Sequence, residues 1–229
     1  MLKRSDSMTT VSSEENAYQA IIEMIIMHRY PPGANVVESQ IAEQLKMSRT
    51  PVRSALKRLV SDGLLESTLN KGCSVPMLSR RDLDRLFRYR HSIEPACARE
   101  AAQFYRQEFK ERIEELIAEE DLYVRENPWG LHVVNEKMHN LVVEIADNPY
   151  YLHPVKQVNW RSQLYLFFFD NFYSERVMEI KKRPKGEYKS PQQHLRLFEA
   201  IMRHDADEAE KVMHDHISST YKFLTKRDW

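Results

Sequence analysis

The sequence predicts a mainly α-helical chain in two parts: an N-terminal winged helix-turn-helix and a C-terminal all-α bundle of six helices. Three features carry that prediction. Two short amphipathic helices joined by a tight turn precede a glycine-tipped hairpin within the first 76 residues. From Ser79 onward apolar residues recur at helical spacing and no period-two run intervenes. With five Gly, ten Pro and 42% hydrophobic residues, 229 residues suffice for two ordinary globular cores.

Residues 1–12 are polar and are expected to be a disordered tail, with the first domain over 13–78 and the second over 79–229. From Glu14 to Arg29 the positions Ala17, Ile21, Ile22, Met24, Ile25 and Ile26 make a helical stripe, which Tyr30-Pro31-Pro32-Gly33 stops. Asn35-Val36-Val37 is short and β-prone. Glu38–Leu45 reads as a brief helix with Ile41, Ala42 and Leu45 inward. After Lys46-Met47, Ser48 is a good N-cap and Pro51 suits a first helical turn, so a third helix begins there. Val52, Ala55, Leu56 and Leu59 gather on one of its faces; Arg53, Ser54 and Lys57 fall on the other, and Arg49 projects from the first turn. Asp62-Gly63 ends this helix. Leu64–Thr68 and Cys73–Pro76 are strand candidates around a turn at Asn70-Lys71-Gly72.

Helix, short strand, helix, turn, basic helix and hairpin make a winged helix-turn-helix, whose second short helix is the one offered to a DNA major groove. Lys plus Arg and Asp plus Glu both total 34, so only this local basic face speaks for nucleic acid. No apolar run approaches the roughly 20 residues of a membrane span, and the first ten residues lack a signal-peptide core, which points to the cytoplasm. Cys73 and Cys97 are isolated and suggest neither a disulfide framework nor a thiolate metal site.

In the second domain, Ser79 with Asp82 should cap a helix to about Tyr105, kinked at Pro95. A charged helix over 108–126 has Ile113, Leu116, Ile117 and Leu122 as its stripe. Two more are expected from Pro128 to Ala146 and from Tyr150 to about Phe172. Residues 174–189 read as a loop, after which Ser190 with Gln193 and Asp205 with Glu208 cap the last two helices. The aromatic run Tyr165–Phe169, with Phe172 and Tyr173, could be core, effector pocket or subunit interface.

Four polar positions on these helices call for partners. Asn135 and His139 stand at i and i+4 and share a face; His194 and His216 lie on or beside apolar stripes. Converging neutral imidazoles with one oxygen ligand suit a divalent transition metal such as zinc, nickel or manganese, although a histidine on an apolar face is more often a satisfied core residue. His132, about two turns from His139, is the rival ligand. His91, His153, His204 and His214 read as surface or helix-end residues. Arg90 and Arg161 could line the same cavity and bind a carboxylate effector, or could pair with Glu94 or a neighbouring helix.

The run Pro32-Gly33, Val37-Glu38, Ile41-Ala42-Glu43-Gln44-Leu45, Ser48-Arg49-Thr50-Pro51-Val52-Arg53, Asp62-Gly63-Leu64, Gly72 and Val75 resembles the N-terminal domain of GntR-family bacterial transcription regulators. The resemblance implies that Arg49 and Arg53 read bases and that Ser48, Thr50 and Gly72 hold phosphate or reach into the groove. Arginine suits guanine edges, whereas hydroxyls and backbone N–H groups suit phosphate. Lys57 and Lys71 join them as phosphate contacts; plain solvation is the alternative for both, as for Arg58. Arg90–Ala102, Asn135–Pro149 and His194–His216 resemble the effector-binding FCD domain of the FadR subfamily. Many members of that subfamily bind a metal through one Asp and three His, which implies Asn135, His139, His194 and His216 here. Asn135 departs from the pattern: an amide oxygen can coordinate but brings no charge.

The reading is therefore a homodimeric, ligand-responsive regulator, a repressor by expectation, that binds a pseudo-palindromic DNA operator and a small carboxylate. Two other classes stay open on the residues alone: a metalloenzyme using Glu136 as base, and a repressor whose signal is the metal itself.

Overall fold

The computed structural model describes residues 12–68, 72–126, 130–169 and 189–226. The chain divides into two compact units, one of the chain up to Ser61 with Leu65–Pro76, the other of Asp62–Leu64 with the chain from Met77 on. Among the described residues there are nine α-helices and one small sheet.

In the N-terminal unit, α1 (Ser13–Ile26) starts directly after the expected tail, whose last residue caps it: the Ser12 hydroxyl accepts a hydrogen bond from the Glu15 amide at 3.1 Å. The helix stops short of Arg29, where His28 has a positive φ of 57°. β1 (Asn35–Val36) leads into α2 (Glu38–Leu45), and α2 closes on Lys46 in the left-handed region. α3 (Arg49–Ser61) follows, with Ser48 just before its first residue. Ala17, Tyr18, Ile21, Ile22 and Ile25 of α1 are buried, as are Ile41 and Ala42 of α2 and Val52, Ala55, Leu56 and Leu59 of α3. α1 packs on both other helices. This leaves the polar side of α3 outward.

Arg58 has a structural role. It reaches Glu15 at 2.6 Å and lies over the Tyr18 ring at 3.9 Å, which ties α3 to α1 rather than offering a cation to phosphate. β2 (Glu66–Thr68) and β3 (Gly72–Ser74) are antiparallel, and β1 adds to β3 on its other side, giving the order β1-β3-β2. Cys73 stands between Val36 and Ser67. Both hairpin strands are shorter than expected. Gly72 has φ +85°, a conformation that a side chain would strain. The expected turn residues Asn70 and Lys71 lie outside the described residues, as do residues 1–11, Trp129, Phe172, Tyr173 and the expected loop at 174–188.

The second unit is a bundle of α4 (Arg80–Phe104), α5 (Lys110–Glu126), α6 (Leu131–Ile145), α7 (Leu152–Phe169), α8 (Ser190–Met202) and α9 (Ala206–Thr225). α4 is its spine, packing on α6, α7, α8 and α9. It continues without a break across Pro95, which is buried. Ser79 caps it by accepting from the Asp82 amide, and Asp205 caps α9 by accepting from Glu208, both as the sequence predicts. Ser190 does not cap α8: it is the first helical residue, after Lys189, because Pro191 is preorganised for the first turn.

The apolar core joins Leu83, Phe87 and Ala98 of α4 to Ile113, Val142, Val158, Phe198 and Ile217. Tyr165 and Phe167 are fully buried and Tyr165 stacks on Phe169, so this part of the aromatic run belongs to the core. On α5 the stripe needs a correction. Leu122 is 50% exposed, whereas Glu120, seven residues after Ile113, is buried. Ile113→Ala should therefore lower the unfolding free energy by roughly 2–5 kcal/mol and Leu122→Gln by less than about 0.5 kcal/mol, measured by urea denaturation.

Candidate metal centre and nucleic-acid interface

His139 of α6, His194 of α8 and His216 of α9 meet inside the bundle, each at most 4% exposed. One ring nitrogen from each lies within 4.8 Å of the others. Imidazoles sharing an ion at about 2.0–2.1 Å stand roughly 3–4 Å apart, so small ring rotations would bring these three onto one metal. The bundle makes this meeting possible because each histidine takes a core position on its own helix.

The far side of each ring is held or approached by a polar group. His194 Nδ1 is 2.8 Å from buried Glu120 Oε1. His216 Nδ1 is 3.3 Å from Gln193 Oε1, which also accepts from Ser219. His139 Nδ1 is 2.9 Å from Glu94 Oε2, within ion-pair distance but out of line for a hydrogen bond. Against these partners, His139 Nε2 and His194 Nε2 are buried with no protein hydrogen-bond partner. Burial lowers the pKa of His139, although Glu94 pulls the other way, and lowers that of His216 further. Buried imidazoles, two with unpartnered Nε2 atoms and the same two with carboxylates behind them, fit a divalent transition metal.

Asn135 stands one turn before His139 on α6, and its Nδ2 donates to Asn159 Oδ1 of α7 at 3.0 Å. Its own Oδ1 remains as the candidate fourth ligand. His132, the rival, is turned away: its ring meets Phe167 edge-on at 5.5 Å and lies 6.2 Å from Trp160. His204 lies against Ala102 O and the Tyr105 ring, and His91 against His214.

The two arginines expected at an effector are both engaged. Arg90 grips Glu94 through Nε and Nη2 and reaches Ser162 Oγ at 2.8 Å through Nη1, all of it buried. Arg161 grips Asp82 Oδ2 at 3.2 Å through Nε and Nη2, and the Tyr165 hydroxyl donates to the same oxygen at 2.6 Å. Sequence reasoning anticipated a salt bridge as the alternative for each, and that alternative describes these contacts. It missed Glu120, whose signal was its place on the apolar stripe, and Asn159, which no motif marked.

On the N-terminal unit, Ser48 is exposed just before α3, Arg49, Thr50 and Lys57 are exposed along it, and Gly72 is exposed at the hairpin. Arg53 donates through Nε and Nη2 to both oxygens of Glu38 on α2, at 2.8 and 2.9 Å. That hydrogen bonding to Arg53 lowers the Glu38 pKa, with a smaller contribution from the charge of Arg49. Glu38 thus fixes one edge of the guanidinium and leaves the other edge outward.

Residues 85–219 match the FCD domain, more than half of the chain, and residues 13–75 match the bacterial regulatory proteins of the gntR family. The chain is a GntR-type transcription regulator with an FCD domain. An uncharacterized HTH-type transcriptional regulator of Bacillus subtilis, YdhC, is 22% identical over 212 residues, 90% of this chain and 88% of that one. A probable D-xylose utilization operon transcriptional repressor of Paenarthrobacter nicotinovorans is 39% identical over 103 residues, 45% of each chain. Escherichia coli McbR/YncC shares the fold, with a TM-score of 0.73 at 21% identity over 95% of this chain and 99% of that one. The metalloenzyme reading is set aside, since the family is one of DNA-binding regulators. Glu136, its would-be base, lies 3.8 Å from Lys156. No described helix of this GntR-type regulator is long and apolar enough to cross a membrane.

The pair behind His139 makes a pH prediction. Burial works to raise the Glu94 carboxyl, but Arg90 and His139 outweigh it and hold the pKa at about 2, below the ordinary 4.5. A depressed carboxyl stabilises the fold above its unfolded pKa and loses that contribution as pH falls through the folded one. Glu94→Gln, which leaves Arg90 buried without its counter-charge, should cost about 3–5 kcal/mol at pH 7. The gap to the native protein should close as pH falls from 4.5 toward 2, read by urea denaturation at each pH.

Proposed function

We propose that this regulator is a homodimeric, cytoplasmic repressor of the FadR subfamily. In this reading its FCD domain holds zinc, nickel or manganese through Asn135, His139, His194 and His216, and a small carboxylate bound there relieves repression. The observation that carries the reading is the set of three buried imidazoles, two with unpartnered Nε2 atoms, backed by Glu120 and Gln193. The metal supplies positive charge and open coordination positions for a carboxylate. The chain's own part is to keep His139 and His216 neutral by burial, fix the orientation of the three rings and exclude water from the core.

Two copies of α3 would enter successive major grooves of a pseudo-palindromic operator. Arg49 and Arg53 would read base edges, Ser48, Thr50, Lys57 and Lys71 would hold phosphates, and the chain at Gly72 would pass close to the backbone. A carboxylate changes operator affinity only by favouring one arrangement of the two DNA-binding domains, through the short connection at Pro76–Ser79. The relative from Paenarthrobacter nicotinovorans, named a probable repressor, supports the expected sign.

His194→Ala combined with His216→Ala should abolish stoichiometric zinc binding, measured by elemental analysis after dialysis; unchanged metal content would refute the ligand set. On the DNA side, Arg53→Ala should weaken specific operator binding by about 1–3 kcal/mol and relax sequence choice. Glu38→Ala should act differently. It removes an anion from the DNA-facing side, so binding to random DNA should tighten and depend more steeply on salt, while discrimination falls because Arg53 loses its anchor. Fluorescence anisotropy on operator and scrambled duplexes checks both; equal changes on the two duplexes would contradict the base-reading role.

A further inference from the structure

The sequence offers Arg90 and Arg161 as the cations for an anionic effector, and both are already paired with a carboxylate, Arg90 in the buried core and Arg161 at a partly exposed position. All three arginine nitrogens of Arg90 are engaged by Glu94 and Ser162, and Arg161 is spent on Asp82 and the Met77 carbonyl. A carboxylate arriving at the histidine centre therefore needs another donor.

Asn159 of α7 is 2% exposed, its Oδ1 accepts from Asn135 Nδ2, and its own Nδ2 is buried with no hydrogen-bond partner. An unmade bond from a buried amide is costly, so such a group calls for a ligand. The direction of the amide pair follows from the chemistry of the centre. If Asn135 gives its oxygen to a metal, its Nδ2 is the atom left to meet Asn159, which must then accept through Oδ1. Both N–H groups of the Asn159 Nδ2 are left over beside Asn135, a metal-binding candidate. Trp160 also has a buried unpartnered N–H, but it lies about 100° further around α7, next to His132, and faces a different part of the bundle.

The geometry points to Asn159 as the hydrogen-bond donor that captures an oxygen of the effector carboxylate while the histidine-bound metal takes the other. This rests on the metal and carboxylate reading proposed above and adds to it a residue and a ligand class. The ligand has an acceptor-only anionic group, held by a metal and a neutral amide rather than by an arginine fork. Asn135 and Asn159 then form a relay, because the amide that coordinates the metal also orients the amide that binds the anion.

The test uses the full-length zinc-loaded protein and calorimetric titration with acetate, L-lactate, succinate and citrate. Asn159→Asp keeps the oxygen that accepts from Asn135 but turns the left-over donor into an anionic acceptor. Asn159→Ala serves as the second variant should the aspartate destabilise the fold. At least one of the four anions should bind the native protein. Asn159→Asp should weaken that binding at least a hundredfold and Asn159→Ala about tenfold, with zinc affinity by chelator competition undiminished in the aspartate variant. If an anion binds native and variant proteins equally, Asn159 is not the donor, while the carboxylate reading survives. A parallel loss of zinc affinity in both variants would reduce Asn159 to support for the metal centre and overturn the proposal. Should none of the four bind the native zinc protein, the donor assignment and the carboxylate reading fall together.

Discussion

Three imidazoles inside an apolar core must be given partners, because a buried nitrogen lone pair or N–H without one is costly to keep. Much of the polar chemistry of the helical unit serves that requirement. Glu120 departs from the solvated face expected of a charged helix to reach His194, Gln193 reaches back to His216, and Glu94 carries its own buried counter-ion, Arg90, to the edge of His139. What remains on the inner side is a group of nitrogens that the protein itself does not satisfy. A divalent ion is the simplest species that resolves this, since it pairs with several neutral imidazoles at once and needs no further side-chain charge.

The same logic separates useful charges from structural ones in the N-terminal unit. Arg53 and Arg58 are five residues apart on one basic helix, yet Arg58 turns inward over Tyr18 and binds Glu15, whereas Arg53 stays outward in a two-pronged grip by Glu38. Exposed ion pairs contribute little to stability. The Glu38 pair is better understood as preorganisation: a guanidinium held by one edge loses less conformational freedom when its other edge meets a base.

Much of this was legible in the sequence where local chemistry decides the outcome. α2 spans the residues its stripe marks, Ser79 and Asp205 cap as their motifs require, and the face shared by Asn135 and His139 leads to the histidine cluster. Legibility failed where two local solutions were equally good and packing chose between them. Ser12, assigned to the tail, instead caps α1, and Ser190 competes with Pro191 for the start of α8. His132 and His139 share a helix face to within about 20°, and only the neighbouring Phe167 and Trp160 send one ring to an aromatic cluster and leave the other to its fellow histidines. Glu120 hid among acidic neighbours because composition masks a period. Asn159 could not have been found at all, since its meaning comes from a bond to another helix.

The metal reading requires the three histidines to act together on one ion. X-ray absorption at the zinc edge of the loaded, full-length protein addresses this most directly, because outer-shell scattering counts imidazole ligands without any effector or operator. One tightly bound zinc per chain is expected, with three imidazoles and the remaining positions filled by oxygen. A shell with one imidazole or none, or no zinc retained at equimolar loading, would contradict it.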